Sequence, residues 1–257
     1  IWVSVRFRVI MIYNDFGRRR EELKYYFDSR IRYSELDENL CLPLHGLINY
    51  FQDCSTFQSE ELGIGVQYLK EKRRLWVLTS WQIEISRYPS LGEEIRTGTW
   101  ACGFRGFVGA RNFVMETEKG ETIACAYSEW AYMDLDAGRP VRADASETER
   151  YGMEEPLPME YAGRKIIVPS EQQILEAVTV HSHHLDSNHH VNNGQYVAIA
   201  AEYLPKEFQV HRLRAEYKRQ AHLGDVMTPG ISQKDGVYVV TLNDISGRPY
   251  VIVEFTE

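Results

Sequence analysis

The sequence has no paired-cysteine motif. Its four cysteines, at positions 41, 54, 102 and 125, are widely separated. That spacing excludes a disulfide framework and a thiolate zinc site, and it points to a reducing, cytosolic compartment. A basic excess is also missing: 29 Lys and Arg stand against 37 Asp and Glu, for a formal net charge of −8. Without surplus positive charge to neutralise phosphates, a general nucleic-acid binder is excluded. No apolar run reaches the roughly 18 to 20 residues that cross a bilayer. The opening IWVSVRFRVIMIY is broken by Arg6 and Arg8 and carries no small-residue cleavage site. Its alternation of Val3, Val5, Phe7 and Val9 suits a strand or an ill-fitting leader better than a membrane helix. What the 257 residues do hold is 44% apolar side chains, 12% of all residues being aromatic, enough for a sizeable core.

Comparing the chain with itself exposes a repeat. Leu36-Asp37-Glu38-Asn39-Leu40-Cys41-Leu42-Pro43 aligns with Leu185-Asp186-Ser187-Asn188-His189-His190-Val191-Asn192. Downstream, Ile83 to Glu93 aligns with Ala215 to Asp225, both ending in a Leu-Gly-acid turn. Each LDxN block precedes a helical pattern. In the first, Pro43 suits the first helical position, and Leu44, Leu47, Ile48, Phe51 and Cys54 recur at helical spacing. In the second, Asn192 or Asn193 suits the cap, and Tyr196 to Leu204 is apolar nearly all round until Pro205. Strands are predicted over 95–103, 110–117 and 122–133, and again over 226–233, 237–242 and 249–255. Each half thus reads as a strand, a polar loop, one long helix and an antiparallel meander, an α+β layer arrangement. We divide the chain into an extension (1–25), a first module (26–142), an acidic Pro-rich linker without regular period (143–170) and a second module (171–257).

The chemistry concentrates where the copies differ. Cys41 and Leu40 of the first copy are replaced by His190 and His189 in the second. In an extended segment, Asp186, Asn188 and His190 would point to one side, just before a helix N-terminus whose free N–H groups favour an oxyanion and a neutral imidazole. This set suits hydrolysis of an acyl group by activated water, with His190 as base, Asp186 orienting it and the Asn188 amide positioning substrate or water. His189 would face the other way. The crowd of His181, His183, His184, His189 and His190 raises metal binding, but no HExxH or helical i, i+4 pair accompanies it. No metal or cofactor is expected.

The segments LDSNHHVNNGQY (185–196), AEYKRQAHLGD (215–225), LWVLTSWQIEISRYPSLGEEIRTGTW (75–100) and GARNFVMETEKGETIACAYSEWAYMDLDAGRPVR (109–142) resemble the acyl-ACP thioesterases, plant-type fatty acyl carrier protein hydrolases and their bacterial relatives. The resemblance spans about residues 30 to 257. It implies a double hotdog fold, two fused modules each wrapping a bent antiparallel sheet round a central helix and usually paired into a homodimer. It also implies cofactor-free cleavage of fatty acyl-ACP, and it lays the family's DxNxH motif on Asp186, Asn188 and His190. In plant members a Glu and a Cys with assigned catalytic roles stand where this chain has Gln220 and Ala221. Alanine excludes a covalent cysteine mechanism there, and Gln220 can position water but cannot act as a base.

The resemblance makes the first module the acyl-chain pocket, with Tyr50 and Phe51 limiting its depth; Asn192 and Asn193 complete the substrate-binding set. Acyl carrier protein is acidic, so a chain of this net charge needs local cations to meet it, and Arg212, Arg214, Lys218 and Arg219 are nearest the proposed site. The lack of a transit peptide favours a bacterial cytosolic protein with no membrane span. Two other readings stand beside this one: an acyl-CoA thioesterase or other hotdog enzyme, and a catalytically weak acyl-binding protein.

Overall fold

A computed structural model describes residues 23–257; the strand expected around Val3 to Val9 lies outside them. The first half runs β1 (Tyr25–Arg30), α1 (Leu44–Glu61), α2 (Val66–Glu71), β2 (Arg74–Ile85), β3 (Glu94–Arg105), β4 (Val108–Thr117), β5 (Thr122–Asp134) and β6 (Arg139–Pro140). After α3 (Ala145–Tyr151), the second half follows as β7 (Gln173–Ile174), β8 (Val178–Thr179), α4 (Asn193–Ala201), β9 (Arg212–Tyr217), β10 (Val226–Lys234), β11 (Val237–Asn243) and β12 (Pro249–Thr256). All six strands predicted from alternation are present, within two residues at either end.

The strands form one continuous antiparallel sheet in the order β1-β3-β4-β5-β2-β9-β12-β11-β10-β7. The halves meet where β2 pairs with β9, Trp81 opposite Ala215 and Ile83 opposite Leu213, about the central pair Gln82 and Arg214. In the repeat alignment Trp81 corresponds to Leu213 and Ile83 to Ala215. Trp81 therefore faces the counterpart of Ile83, and Ile83 the counterpart of Trp81, the signature of an internal two-fold axis. One chain thereby builds a dimer-like interface within itself.

The apolar face of α1 explains its place. Leu47, Ile48, Phe51 and Cys54 are fully buried, and Phe51 packs on Trp81 and Phe113 with ring centroids 6.0 and 5.3 Å apart. Burial of each such side chain contributes roughly 1.5–3 kcal/mol. α4 takes the matching place in the second half, with Tyr196, Val197, Ile199 and Ala200 buried. The two helices touch near their N-termini, where Asn193 Nδ2 donates to Gln52 Oε1 at 2.7 Å. Gly194 permits this approach, since a Cβ there would stand 3.0 Å from Asn49 Oδ1 and 3.3 Å from the His45 carbonyl. This is the α+β, double hotdog arrangement expected.

Three local expectations need correction. Pro43 is the N-cap of α1 rather than its first residue, and α4 spans only nine residues, ending well before Pro205. The linker is not devoid of regular structure. Asp144 and Glu147 form a reciprocal capping box that starts α3. Glu147 is then buried where Tyr68 and Tyr132 hydroxyls donate to it at 3.1 and 2.9 Å. A capping signature inside an acidic stretch is the signal that periodicity alone overlooks.

Candidate active site

The LDxN blocks fold as the same turn in both halves. Asp37 Oδ1 accepts the backbone N–H groups of Asn39 and Cys41 at 2.9 and 3.1 Å. Asp186 Oδ1 accepts those of Asn188 and His190 at 2.8 and 3.2 Å. The residue before the last is left-handed in each, Leu40 at φ 58° and His189 at φ 62°. The Asp186-to-His190 segment is therefore a tight Asx-type turn, not the extended run read from alternate spacing. Asp and Asn favour such turns because the short side chain bonds backbone two residues on. Asp186 consequently holds the backbone; no hydrogen bond joins it to the His190 ring among the described residues.

The turn delivers its side chains to a cavity of about 670 Å³ bounded by both halves. Asp186, Asn188, His190, Asn192, Asn193, Lys218, Arg219 and Gln220 all reach it. The His190 ring and the Asn188 and Gln220 amides have no hydrogen-bond partner among the described residues, and the last two side chains lie at the exposed end. His189, turned out by its left-handed backbone, does not line the cavity. Burial depresses the His190 pKa first, the nearby His222 and His189 add to that, and the Asp186 charge opposes it. A neutral imidazole, able to accept a proton, follows near neutral pH.

Asn192 and Asn193 are both engaged in the scaffold. Asn192 Oδ1 caps α4 by accepting Gly194 N–H at 2.8 Å, and the Asn193 amide clasps α1. The Asn193 backbone N–H has no partner among the described residues, so the start of α4 keeps a free donor in a residue that lines the cavity. Ala221 offers none, because its N–H donates to the Tyr196 hydroxyl at 2.7 Å.

Other expected contacts do not reach this space. Phe51 is core, and Tyr50 turns its hydroxyl to Glu35 Oε2 at 3.0 Å. The α1 face on the cavity instead carries Gln52, Asp53, Ser55, Thr56 and Ser59, one residue out of phase with the apolar stripe. Ser55, Thr56 and Ser59 hydroxyls donate to carbonyls of their own helix, which leaves the wall less polar than its composition. The apolar wall comes from strands, through Leu75, Trp76, Leu78, Phe104, Trp130 and Met133. At its far side lies Arg111, buried, donating to Thr99 Oγ1 at 3.1 Å and stacked over Tyr151.

The expected cations divide. Arg212 pairs with Glu84 at 3.0 Å and Arg214 with Glu254 at 2.8 Å, both held against the body of the protein away from the cavity. Lys218 and Arg219 pair with Glu216 and Asp244 but remain partly exposed on the cavity rim. Among the described residues no group of three or more His, Cys, Asp or Glu is placed to hold a metal ion. His184, rather, accepts the His181 N–H at Nδ1 and closes a short helical turn. His222, outside the motif, joins the site: its ring stands edge-to-face on His190 with centroids 4.8 Å apart.

Comparison with known proteins agrees with this architecture. The model of the acyl-ACP thioesterase N-terminal domain matches residues 22–151, and that of the C-terminal domain residues 167–246. The chain is 26% identical over 215 residues to the chloroplastic acyl-[acyl-carrier-protein] hydrolase FATB3 of Cuphea viscosissima, covering 77% of this chain and 52% of that protein. It is 25% identical over 236 residues to oleoyl-acyl carrier protein thioesterase 2 of Arabidopsis thaliana, covering 82% and 64%. The chain thus spans about half to two thirds of the length of these curated relatives. An acyl-ACP thioesterase structure from Bacteroides thetaiotaomicron superimposes with TM-score 0.84 at 22% identity, covering 92% of this chain and 98% of that one. The 12:0-ACP thioesterase of Umbellularia californica does so at 0.80 and 18%, covering 95% and 98%. At these identities the structures establish the shared fold.

Proposed function

The chain belongs to the acyl-ACP thioesterase family, and from that premise we propose that it hydrolyses fatty acyl-ACP to free fatty acid and holo-ACP. The observation carrying this reading is the meeting of His190, Asn188 and Gln220, three side chains with no hydrogen-bond partner among the described residues, on a cavity large enough for a ligand. In the proposed step, His190 takes a proton from water whose oxygen bonds to the thioester carbon. The carbonyl oxygen, now an oxyanion, is met by the Asn193 N–H and the Asn188 amide. The carbon–sulfur bond then breaks and the His190 proton passes to the departing thiolate. Gln220 positions the water.

We further propose that the modules divide at 26–142 and 171–257 and that Lys218 and Arg219 meet the acidic carrier, their position on the cavity rim supporting this. The same reading carries a cytoplasmic, homodimeric protein. Four free cysteines suit a reducing compartment, and no helix of the described residues is long and apolar enough to cross a membrane. Both halves of one chain wall the cavity, so a second copy is not needed to build it. Oligomeric state is readable by light scattering.

The test is thiol release from parallel acyl-ACP and acyl-CoA panels. Release from acyl-ACP supports the reading, release from acyl-CoA alone moves the substrate to the CoA ester, and release from neither overturns it. Gln220 and Ala221 favour a second reading, a weak enzyme that mainly binds acyl chains. Gln220→Glu discriminates: it is expected to raise kcat, because a positioned acid/base is worth on the order of 10² to 10⁴ in rate. An unchanged or lower kcat would show that this chain works by another arrangement.

A further inference from the structure

The turn that follows β9 repeats the turn that follows β2. Ser90 N–H donates to Glu93 Oε2 at 3.0 Å, and His222 N–H donates to Asp225 Oδ2 at 2.9 Å. Gly92 and Gly224 both occupy the left-handed region, at φ 76° and 83°. His222 thus stands where the first half has serine, in a turn that has no structural need of imidazole. Its ring is nevertheless set edge-to-face against His190, at an interplanar angle of 76°. It does not line the cavity. On its far side the Asp225 carboxylate lies 3.8 Å from Nδ1.

We propose that His222 is a positioning residue for the hydrolysis, acting through His190 and taking over from the ionisable group that Gln220 and Ala221 lack. The inference rests on the thioesterase reading of this cavity. With the rings this close, a positive charge on His222 disfavours a second one on His190. When His222 carries a proton, it raises the energy of the imidazolium that His190 becomes on taking the proton of the attacking water, and so favours delivery of that proton to the thiolate. Atoms balance as before: the O–H bond of water breaks, a carbon–oxygen bond forms, the carbon–sulfur bond breaks and sulfur takes the proton. Asp186 pulls the other way, stabilising the imidazolium, and is bound to backbone. The remaining charges near the pair are His189 on the same loop, Lys218 with Glu216, Arg219 with Asp244, Asp225 behind His222, and Asp53 across the cavity from α1. Tyr196 and Tyr250 pack nearby, and burial raises the pKa of both phenols.

The experiment uses His222→Ser, the residue of the equivalent turn, and His222→Lys, which fixes the charge. The His190 ring is titrated by NMR, and kcat/KM for acyl-ACP is followed against pH. Removing the neighbouring imidazole relieves His190, so its titration and the acid limb of kcat/KM move to higher pH in His222→Ser. On the acid side of neutrality kcat/KM falls on the order of tenfold. In His222→Lys both move to lower pH. KM is expected to stay within about twofold, because His222 does not touch the cavity. A His190 titration unmoved by both variants, or moved the same way by both, overturns the proposal. Absence of hydrolysis by the unaltered protein would overturn the thioesterase reading instead, while the NMR titration would still decide whether the two rings are coupled.

Discussion

His190→Ala is expected to lower kcat for acyl-ACP by about 10² to 10⁴ while leaving the melting temperature nearly unchanged. The ring is half-buried, has no hydrogen-bond partner among the described residues and faces the cavity, so little packing is lost with it. The control is its neighbour. His189 lies outside the cavity wall in the left-handed region at φ 62°, a conformation that Leu40 adopts at φ 58° in the first half without any imidazole. His189→Gly enters that conformation without strain and is expected to keep near-normal turnover. The pH dependence has a definite sign. Burial and His222 depress the His190 pKa, so the neutral, proton-accepting form persists below the usual histidine range and activity is lost only as pH falls through the depressed value. Equal losses in the two variants, read as initial rates with thermal melts alongside, would mean that the base lies elsewhere.

How far the molecule was legible from its sequence depended on whether a feature is local or relational. Alternation of apolar residues is local, and it located β3, β4, β5, β10, β11 and β12 to within two residues. The duplicated LDxN and Leu-Gly-acid segments carried the two-fold plan, because side chains such as Asp37 and Asp186 dictate one turn by bonding their own backbone. The conformation of that turn is not legible from spacing, since alternate spacing describes a strand whereas an Asx turn reverses the chain. Helix phase decides the cavity wall: Tyr50 and Phe51 belong to the apolar stripe of α1, and the neighbouring Gln52, Ser55, Thr56 and Ser59 meet the open space. Telling the two faces apart requires knowing that the sheet, through Trp81 and Phe113, covers one of them. His222 is more than thirty residues from His190 and meets it only because β9 returns beside the turn. Its signal was the serine-to-histidine difference between the copies at position 90, visible once the halves are aligned.

Asp186 separates a structural carboxylate from a chemical one, and its substitutions are expected to diverge. Asp186→Ala removes the acceptor of both the Asn188 and the His190 N–H groups. Each lost acceptor costs about 1 to 3 kcal/mol where the donor is left dry, so the turn opens, His190 leaves the cavity, and kcat/KM falls about as far as in His190→Ala. Asp186→Asn keeps an oxygen in the same place but no charge. If the carboxylate chiefly holds the turn, the asparagine variant retains turnover within about tenfold of the unaltered protein. Its acid limb should move to lower pH, because the favourable charge on imidazolium has gone. The first half supplies the matching control. Asp37→Ala breaks the same two bonds beside Cys41, a residue off the cavity, and is expected to lower the melting temperature by a few degrees with kcat retained. Were Asp186→Asn as inactive as Asp186→Ala while its melting temperature stayed normal, the charge itself would have to act on the reacting atoms, and the structural role assigned to Asp186 would fall.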